Sequence, residues 1–507
     1  MLCVGLTSLS IASFQLLVYF LSVLLSVTLS LGKNIIMKHV LLSLILGLTT
    51  HFMCAQSQDD RLTTESRTYT SESGIVIDAI VGSLKVPENR ANPDSEDISI
   101  HFIQLKSTNP TPQAPLVYLE GGPGASCTWQ AEDPYYLERW LPFLEISDVI
   151  LLDQRGTGEG TQRVLYIHQE GIPANILADE PVREEYFKEL SKRGLVDFEQ
   201  RGVDLHGYTT IESAQDIDDL RQALSYDQFS LLGFSYGTHL GLTYMKYFSS
   251  HAKNAVLVGV EGFNHALKLP SSMDTQLQKI ALMAQADPKV SQLVPDLMGL
   301  YRRVIRSLKE NPAELEITSP LTDEPMQVKV GPFGLNLILI IDMGDASDIP
   351  VLPRLLYSID QGDYSLLRWF VQKRIGNFYG VHGMSITMDL ASGASSSRLE
   401  RIEEELTKSP FQDIILAVLM NNDWPHPDLG EEFREPLVSN VRTLFMSGTL
   451  DFNTPPYQAE EVRWGFSNSS HVIVNNAGHE QVFTHPKAIP AIIRFLQGEN
   501  VDDVALS

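Results

Sequence analysis

Cysteine is scarce in this chain of 507 residues. Of the three cysteines, Cys3 and Cys54 lie in the apolar N-terminal stretch, so the rest of the chain carries only Cys127. One cysteine cannot form an internal disulfide, which excludes a fold held together by disulfides. Cys127 follows a glycine-rich turn, where we expect a small buried thiol rather than a reactive one.

Basic residues are also few. Lys and Arg number 38 against 63 Asp and Glu, so the formal net charge is −25. Nucleic-acid binding depends on clustered Lys and Arg side chains that neutralise phosphates, and this charge therefore argues against a nucleic-acid partner. The 43% of hydrophobic residues is typical of a globular protein with a full core.

The N-terminal residues 1–55 form a hydrophobic leader. Residues 37–55 give a basic start, an apolar stretch and a small residue, which is the pattern of a secretory signal cleaved near Ala55. Because this signal pattern opens at Met37, that residue is a candidate for the true start. Residues 1–32 are also uncharged, apolar and long enough to span a bilayer. We expect a periplasmic or secreted protein, or one anchored to the membrane through this segment if it is not cleaved.

Short apolar runs, each followed by a Gly-containing turn and then by helical spacing, recur along the chain. The runs 115–119, 149–152 and 229–232 are mostly apolar rather than alternating, as parallel strands covered on both faces are. The earlier run 97–103 alternates, which predicts a half-buried strand in an antiparallel edge. The pattern predicts an α/β fold with a mostly parallel central sheet.

The strand pattern stops after 255–260 and resumes at 441–446 and 471–474. The gap is mostly of helical character, with helices expected at 297–308 and 398–406. We predict a helical lid inserted over the carboxyl edge of the sheet. The predicted organisation is a leader (1–55), a first part of the core (56–262), a lid (263–436) and a second part of the core (437–507).

The sharpest motif is Gly-Phe-Ser-Tyr-Gly at 233–237. In a Gly-x-Ser-x-Gly turn the serine occupies a strained position between a strand and a helix, and the glycines leave room for neighbouring backbone. Here the motif follows the run 229–232 and opens a helical stretch at 238–248. We therefore predict that Ser235 is a catalytic nucleophile.

A serine hydroxyl needs a base, and the base needs an orienting acid. In this arrangement Asp or Glu and then His follow the serine along the chain. Asp451 and His479 follow the last two predicted strands, which places both at the same sheet edge as Ser235. We predict that they complete the triad, with His485, at a predicted helix start, as a weaker alternative for the base.

The stretch Glu-Gly-Gly-Pro-Gly at 120–124 follows another predicted strand. Residues without side chains let backbone N–H groups point at a developing oxyanion. We predict that the N–H groups of Gly122 and of Tyr236, the residue after the nucleophile, form the oxyanion hole. A simple tight turn is the alternative.

A second glycine-rich stretch, Gly-Thr-Gly-Glu-Gly at 156–160, differs from the Gly-x-Gly-x-x-Gly spacing of dinucleotide sites. The neighbouring Arg155 is expected to brace loops rather than to contact substrate. The sequence also lacks His or Cys clusters with zinc-ligand spacing, a Walker loop and an EF-hand pattern. We therefore expect neither a cofactor nor a metal.

Taken together, these motifs resemble those of the proline iminopeptidase and tripeptidyl aminopeptidase family of serine peptidases, which have the α/β-hydrolase fold. The likeness covers most of 75–262 and 437–495 and is faint over the predicted lid. The matching stretches are Gly-Gly-Pro-Gly at 121–124, Asp-Gln-Arg-Gly-Thr-Gly at 153–158, Gly-Val-Asp-Leu-His-Gly-Tyr-Thr-Thr at 202–210, Gly-Phe-Ser-Tyr-Gly-Thr at 233–238, Ser-Gly-Thr-Leu-Asp at 447–451 and Ala-Gly-His at 477–479.

The resemblance implies an exopeptidase whose partner is a peptide with a free N-terminus, and whose lid carboxylates pair with the substrate's α-ammonium. Glu120 and Glu261, which lie near predicted strand ends, are candidate substrate-binding residues, and Glu403 and Glu404 are further candidates in the lid. Glu120 and His239 differ from the residues usual in the family, which leaves substrate preference open.

Two other interpretations of the same motifs remain. A carboxylesterase or a related hydrolase of small esters or amides would use the same triad, because fold and triad alone do not select the substrate. A non-catalytic binding protein on the same scaffold is disfavoured because all three predicted triad residues are present.

Overall fold

The computed structural model describes residues 59–158, 166–168, 170–412 and 424–502. Its central feature is a nine-stranded sheet, with strands numbered along the chain. In spatial order the strands are β1 (Leu62–Thr70), β2 (Val76–Pro87), β3 (Asp97–Leu105), β5 (Val149–Leu152), β4 (Leu116–Leu119), β7 (Phe229–Phe234), β8 (Ala252–Val258), β12 (Arg442–Gly448) and β13 (Ser469–Val474). Two short pairs lie outside it: β6 (Tyr166–His168) with β11 (Gly380–His382), and β9 (Ala313–Thr318) with β10 (Pro325–Val330).

The sheet is antiparallel at one end and parallel elsewhere. Strands β1, β2, β3 and β5 pair antiparallel in turn, and every pairing from β5 to β13 is parallel. On β3, Ile98, Ile100 and Phe102 are buried, as the alternation predicts. The predicted α/β fold with a mostly parallel sheet is confirmed.

Helices surround the sheet. Within the described residues the α-helices are α1 (Trp129–Glu132), α2 (Pro134–Glu138), α3 (Leu141–Leu144), α4 (Glu180–Gln200), α5 (Thr210–Ala223), α6 (Tyr236–Phe248), α7 (Pro270–Ala286), α8 (Pro288–Leu293), α9 (Leu297–Glu310), α10 (Pro332–Asp342), α11 (Leu352–Asp360), α12 (Ser365–Arg374), α13 (Gly383–Ser392), α14 (Ser396–Leu406), α15 (Gly430–Arg434), α16 (Pro456–Arg463), α17 (Gln481–Thr484) and α18 (Ala488–Leu496).

Successive residues of the parallel strands face two different hydrophobic cores. Val117 of β4 belongs to the core that also contains Ile217 of α5 and Leu240 of α6. The next residue, Tyr118, belongs to the core that contains Phe495 of α18. Because side chains alternate along a strand, a strand buried on both faces must be apolar at every position, which explains the continuous apolar runs.

In the insertion between β8 and β12, the described residues (263–412 and 424–436) are mainly helical. Helices α9 and α14 coincide with the two helices predicted at 297–308 and 398–406. The insertion also contains the β9–β10 hairpin, which the sequence analysis did not predict. Along β9, Ala313, Leu315 and Ile317 are buried and the residues between them are exposed, which is the two-residue period of a strand.

The described residues from Arg61 onward form one compact unit, which includes both parts of the predicted core and the lid. The predicted leader, 1–55, lies outside the described residues, and the start at Met37, the cleavage near Ala55 and export stay predictions. In the part of the chain that the structure describes, none of the helices is long and apolar enough to cross a bilayer.

Candidate active site

Ser235 lies at the sharp turn between β7 and α6. Its backbone has φ 54° and ψ −124°, a conformation that non-glycine residues rarely adopt. A Cβ on Gly237 would lie 1.9 Å from the Leu119 carbonyl oxygen, and one on Gly233 would lie 2.5 Å from the Gly237 carbonyl oxygen. Side chains at either glycine would therefore disrupt the turn, which holds Ser235 at the carboxyl edge of the sheet.

The predicted acid and base meet at the same edge. Asp451 follows β12 and His479 follows β13, and these two strands are parallel neighbours. His479 Nδ1 lies 2.8 Å from Asp451 Oδ2, which is a hydrogen-bond distance. The His479 ring packs against Phe234, the residue before Ser235, with ring centroids 5.0 Å apart. The structure thus places the bonded pair of Asp451 and His479 beside the turn that carries Ser235.

The Asp451 side chain is fully buried, and its carboxylate is surrounded by donors. Oδ1 accepts hydrogen bonds from the N–H groups of Asn453 at 2.9 Å and Thr454 at 3.0 Å. Oδ2 accepts a hydrogen bond from the Thr454 hydroxyl at 2.6 Å. Thr454 Oγ1 also lies 3.2 Å from His479 Nδ1. The sequence analysis missed this contact of Thr454, although a threonine three residues after an aspartate is placed to bond its carboxylate.

These contacts determine the charges of the pair. Burial disfavours the Asp451 anion, but His479 and the hydrogen bonds from Thr454 outweigh it and hold the pKa of Asp451 below its usual value. Burial also disfavours a charged imidazole, yet the Asp451 carboxylate outweighs it and raises the pKa of His479. An ionised carboxylate beside a histidine that can take up a proton is the arrangement that a general base for serine requires.

The glycine-rich turn at 120–124 lies against the nucleophile. A Cβ on Gly121 would lie 2.9 Å from Ser235 Cβ. The Gly121 N–H donates to Glu120 Oε1 at 2.9 Å, so it is already engaged, and Gly122 stays the predicted donor of this turn. Tyr236 is the first residue of α6, where backbone N–H groups have no acceptor within the helix. The positions of both predicted donors suit an oxyanion hole, and their role stays a prediction.

Glu120 is tied into this turn. Its Oε2 accepts hydrogen bonds from the Tyr118 hydroxyl at 3.1 Å and from Gln130 Nε2 at 2.9 Å, and its Oε1 accepts one from the Gly121 N–H. Burial raises the pKa of Glu120. Both carboxylate oxygens are therefore engaged by the protein itself, and the predicted role of Glu120 in substrate binding stays a prediction.

Glu261 lies just beyond β8 and close to the nucleophile. The Glu261 N–H donates a hydrogen bond to Thr238 Oγ1 at 2.7 Å, and the Thr238 hydroxyl donates one to the Ser235 carbonyl oxygen at 2.7 Å. The Glu261 side chain is buried and forms an ion pair with Lys268. Burial alone would raise the pKa of Glu261, but the Lys268 ammonium lowers it below its usual value. Glu261 is thus a charged group held within the protein near Ser235.

A second carboxylate comes from the lid helix α13. This helix packs on the turn that carries Ser235, where Met388 Sδ accepts a hydrogen bond from the Tyr236 hydroxyl at 2.7 Å. In the described ranges, the carboxylate of the next residue, Asp389, has no hydrogen-bond or ion-pair partner. Burial, reinforced by the charge of Glu261, raises the pKa of Asp389 well above its usual value. The sequence analysis missed Asp389 because no motif surrounds it.

Two residues near the second glycine-rich stretch behave as expected. Arg155 is fully buried and donates to the Asp216 carboxylate and to the Glu88 and Gly207 carbonyl oxygens, so it braces loops. Cys127 is fully buried, and burial raises the pKa of its thiol. An unreactive thiol follows from that burial.

The remaining predicted residues lie apart from the triad or within the core. His485 Nδ1 accepts the Lys487 N–H at 3.2 Å, whereas His479 is the histidine that contacts Asp451. Glu403 and Glu404 are exposed on α14. His239 is buried between the Gly262 carbonyl oxygen and the Ser392 hydroxyl, each 3.2 Å away, so it joins α6 to the lid. Glu403, Glu404 and His239 therefore have surface or packing positions.

Three curated relatives are peptidases by name. The chain is 29% identical over 188 residues to a tripeptidyl aminopeptidase of Streptomyces lividans, a match that covers 35% of each chain. It is 28% identical over 197 residues to the serine protease Hip1 of Mycobacterium tuberculosis, covering 36% of each chain. A proline iminopeptidase of Aeromonas sobria is 28% identical over 178 residues, covering 34% of this chain and 35% of that one. The chain thus spans about a third of the length of these relatives, and the resemblance indicated by the motifs is confirmed.

Among solved structures, a thermophilic esterase from Thermogutta terrifontis is 14% identical with a TM-score of 0.35, covering 82% of this chain and 98% of that one. The model of the alpha/beta hydrolase fold family matches residues 114–486, well over half of the chain. This match, together with the sheet order and the nucleophile turn, shows that the chain belongs to the α/β-hydrolase fold family.

Proposed function

We propose that this protein is a serine aminopeptidase that releases N-terminal residues from peptides through an acyl-enzyme on Ser235. The hydrogen-bonded pair of Asp451 and His479 beside the Ser235 turn supports the serine chemistry. The observation that carries the aminopeptidase assignment is the unpaired carboxylate of Asp389 on the lid helix that packs against the same turn. The names of the relatives, tripeptidyl aminopeptidase and proline iminopeptidase, support the same class of substrate.

The proposed reaction begins when His479 accepts the hydroxyl proton of Ser235 as its Oγ attacks the scissile carbonyl carbon. The resulting oxyanion accepts hydrogen bonds from the N–H groups of Gly122 and Tyr236, each worth about 10²–10³-fold in rate. His479 then donates the proton to the leaving nitrogen, the C–N bond breaks, and an ester to Ser235 remains. Water, activated by the same histidine, hydrolyses this ester and restores the hydroxyl.

The charges near the nucleophile suit a substrate with a free amine. Glu261 and Asp389 can carry two negative charges, and Lys268, paired with Glu261, balances only one of them. The α-ammonium of a peptide would balance the second charge and favour ionisation of the half-buried Asp389. An N-blocked peptide has no such cation, so it leaves Asp389 without a partner.

The first test uses the full-length protein and a set of anilides. We expect cleavage of free-amine Pro, Ala and tripeptide anilides and rejection of their N-acetylated forms. Ser235→Ala should abolish turnover without changing thermal unfolding. Cleavage of blocked and free substrates at equal rates would contradict the aminopeptidase assignment, and aryl-ester cleavage alone would favour an esterase.

Asp389→Asn tests the amine site. A hydrogen bond to a charged group contributes about 1.5–3 kcal/mol, so KM for free-amine anilides should rise by roughly tenfold or more. The rate with a neutral aryl ester should stay close to that of the wild type. Asp360→Asn is the matched control, since Asp360 is also a lid aspartate but is exposed and paired with Arg303. An equal effect of both variants, or none for Asp389→Asn, would contradict the proposed amine site.

A further inference from the structure

A loop of the lid lies against the histidine of the triad. Residues 343–346, which we call the lid loop, follow α10 and reach the turn after β13. The His479 N–H donates to the Gly344 carbonyl oxygen at 2.9 Å. A Cβ on Gly478 would lie 2.3 Å from that same oxygen. The backbone that carries His479 is thus in direct contact with the lid.

Gln481 reinforces this contact from the other side. Its Oε1 accepts a hydrogen bond from the Ala346 N–H at 3.1 Å, and its Nε2 donates one to Asp345 Oδ1 at 2.9 Å. Gln481 lies two residues after His479, at the start of α17. One side-chain amide therefore joins the segment of His479 to two successive residues of the lid loop.

The same lid loop is also tied to the segment that carries Asp451. Gln276 of α7 donates through Nε2 to the Met343 carbonyl oxygen at 3.0 Å and to the Leu450 carbonyl oxygen at 2.8 Å. Leu450 is the residue before Asp451. The Gln276 side chain is buried, which favours a fixed geometry for both bonds. Two glutamines therefore connect one loop of the lid to the acid and to the base.

The lid loop has a firm support of its own. Asp342, the last residue of α10, is fully buried and forms ion pairs with Lys373 and Arg374. The Asp345 N–H donates to the Asp342 carbonyl oxygen at 3.3 Å. Removing one partner of a buried ion pair is strongly destabilising, so this anchor resists displacement of the loop.

The need for such support follows from where Asp451 and His479 lie. Both residues lie beyond the ends of β12 and β13, where strand pairing no longer holds the backbone. Their segments bond each other directly through the Leu450 N–H and the Ala477 carbonyl oxygen, at 2.9 Å. At His479 itself, the backbone N–H bonds the lid rather than the neighbouring segment.

We propose that Gln276 and Gln481 are positioning residues, which act through the lid loop to hold Asp451 and His479 at hydrogen-bonding distance. This inference rests on the proposed triad. A misplacement of about 1 Å can cost about 10²-fold in rate, so modest movement of either segment would be visible in kinetics. The lid then contributes to the chemical step as well as covering the site.

The test replaces Gln481 by Met, which is close in size but can form neither hydrogen bond to the lid loop. The control is Gln372→Met, because Gln372 forms the same kind of two-bond bridge to Thr318, at 2.7 and 2.8 Å, within the lid. The first readout is the rate at which a fluorophosphonate labels Ser235, which does not depend on recognition of an amine. The others are kcat and KM for a free-amine anilide and the pH dependence of kcat/KM.

For Gln481→Met we expect labelling and kcat to fall by about tenfold to a hundredfold, with KM little changed. The acidic limb of the pH profile should move to lower pH, because a looser contact with Asp451 raises the pKa of His479 less. Gln372→Met should match the wild type in all readouts. Gln276→Met should have the same effects as Gln481→Met. Because Gln276 is buried, its replacement also affects folding, so the result for the half-buried Gln481 decides the test.

Labelling of Gln481→Met at the wild-type rate with an unshifted pH profile would overturn the positioning role. That result would leave the proposed function intact, because Ser235 would still be labelled. A wild-type protein that is folded but not labelled at Ser235 would instead refute the proposed function. A fall in labelling of equal size for Gln372→Met would also overturn the positioning role, since it would show a general effect of weakening the lid.

Discussion

Replacing Asp451 by Asn should change both the rate and its pH dependence. In the native protein, burial lowers the pKa of His479, and the Asp451 carboxylate outweighs it and raises that pKa. The histidine acts as a base only when neutral, so kcat/KM should rise with pH through this raised pKa. Without the carboxylate, burial is the largest remaining effect and outweighs the smaller, opposing charges of Glu480 and Lys268, so the pKa of His479 should fall below its ordinary value of about 6.5.

The rate should fall while the acidic limb moves to lower pH. Loss of the orienting charge in a serine triad costs about 10⁴-fold, or about 5.4 kcal/mol, because the histidine is no longer held in the correct tautomer and its imidazolium is no longer stabilised. The shift of the acidic limb distinguishes loss of Asp451 from simple unfolding, which lowers the rate without moving the limb.

The assay is kcat/KM for a free-amine anilide measured from acid to alkaline pH, with Asp360→Asn as a control for removing a lid carboxylate outside the triad. A limb that stays in place, or one that moves to higher pH, would refute the electrostatic reasoning. A plateau within about tenfold of the wild type would show that Asp451 is not the orienting acid.

Two further substitutions test the surroundings of the triad. Gly121→Ala should abolish labelling of Ser235 in a protein that still folds. The added Cβ would lie 2.9 Å from Ser235 Cβ and 3.3 Å from the Phe234 carbonyl oxygen. Near-normal labelling would show that the turn can move away from the added methyl group. Arg155→Met should lower the free energy of unfolding by about 3–5 kcal/mol, since the buried Asp216 carboxylate loses its ion pair with Arg155. A urea midpoint close to that of the wild type would contradict the bracing role of Arg155.

Features that depend on neighbouring residues could be predicted from the sequence. The apolar runs are strands because strands buried on both faces must be apolar throughout, and the turn at Ser235 was predictable because its glycines are required locally. Asp451 and His479 were predictable because chain order and strand ends place them at one edge. The predicted parallel sheet follows from the same local patterns.

Features that depend on residues distant in sequence could not be predicted. Asp389 is separated from Ser235 by 154 positions, and nothing near it in the sequence indicates that α13 packs on the nucleophile turn. The β9–β10 hairpin was missed because its short alternating strands lie within a long helical segment. Gln276 and Gln481 are likewise ordinary polar residues until the fold brings the lid loop between them.

The point of insertion explains why the lid reaches the triad at all. The lid leaves the core after β8 and returns before β12, and these strands are parallel neighbours. The lid therefore starts at the carboxyl edge of the sheet, where Asp451 and His479 follow the last two strands, and its returning end enters β12 at the opposite edge. A long segment that starts at this carboxyl edge can contact the acid, the base and the nucleophile turn with different elements, as α7, the lid loop and α13 do. Changes in the lid should then alter the geometry of the catalytic groups together with the choice of substrate, and variants of Gln481 and Asp389 separate these two effects.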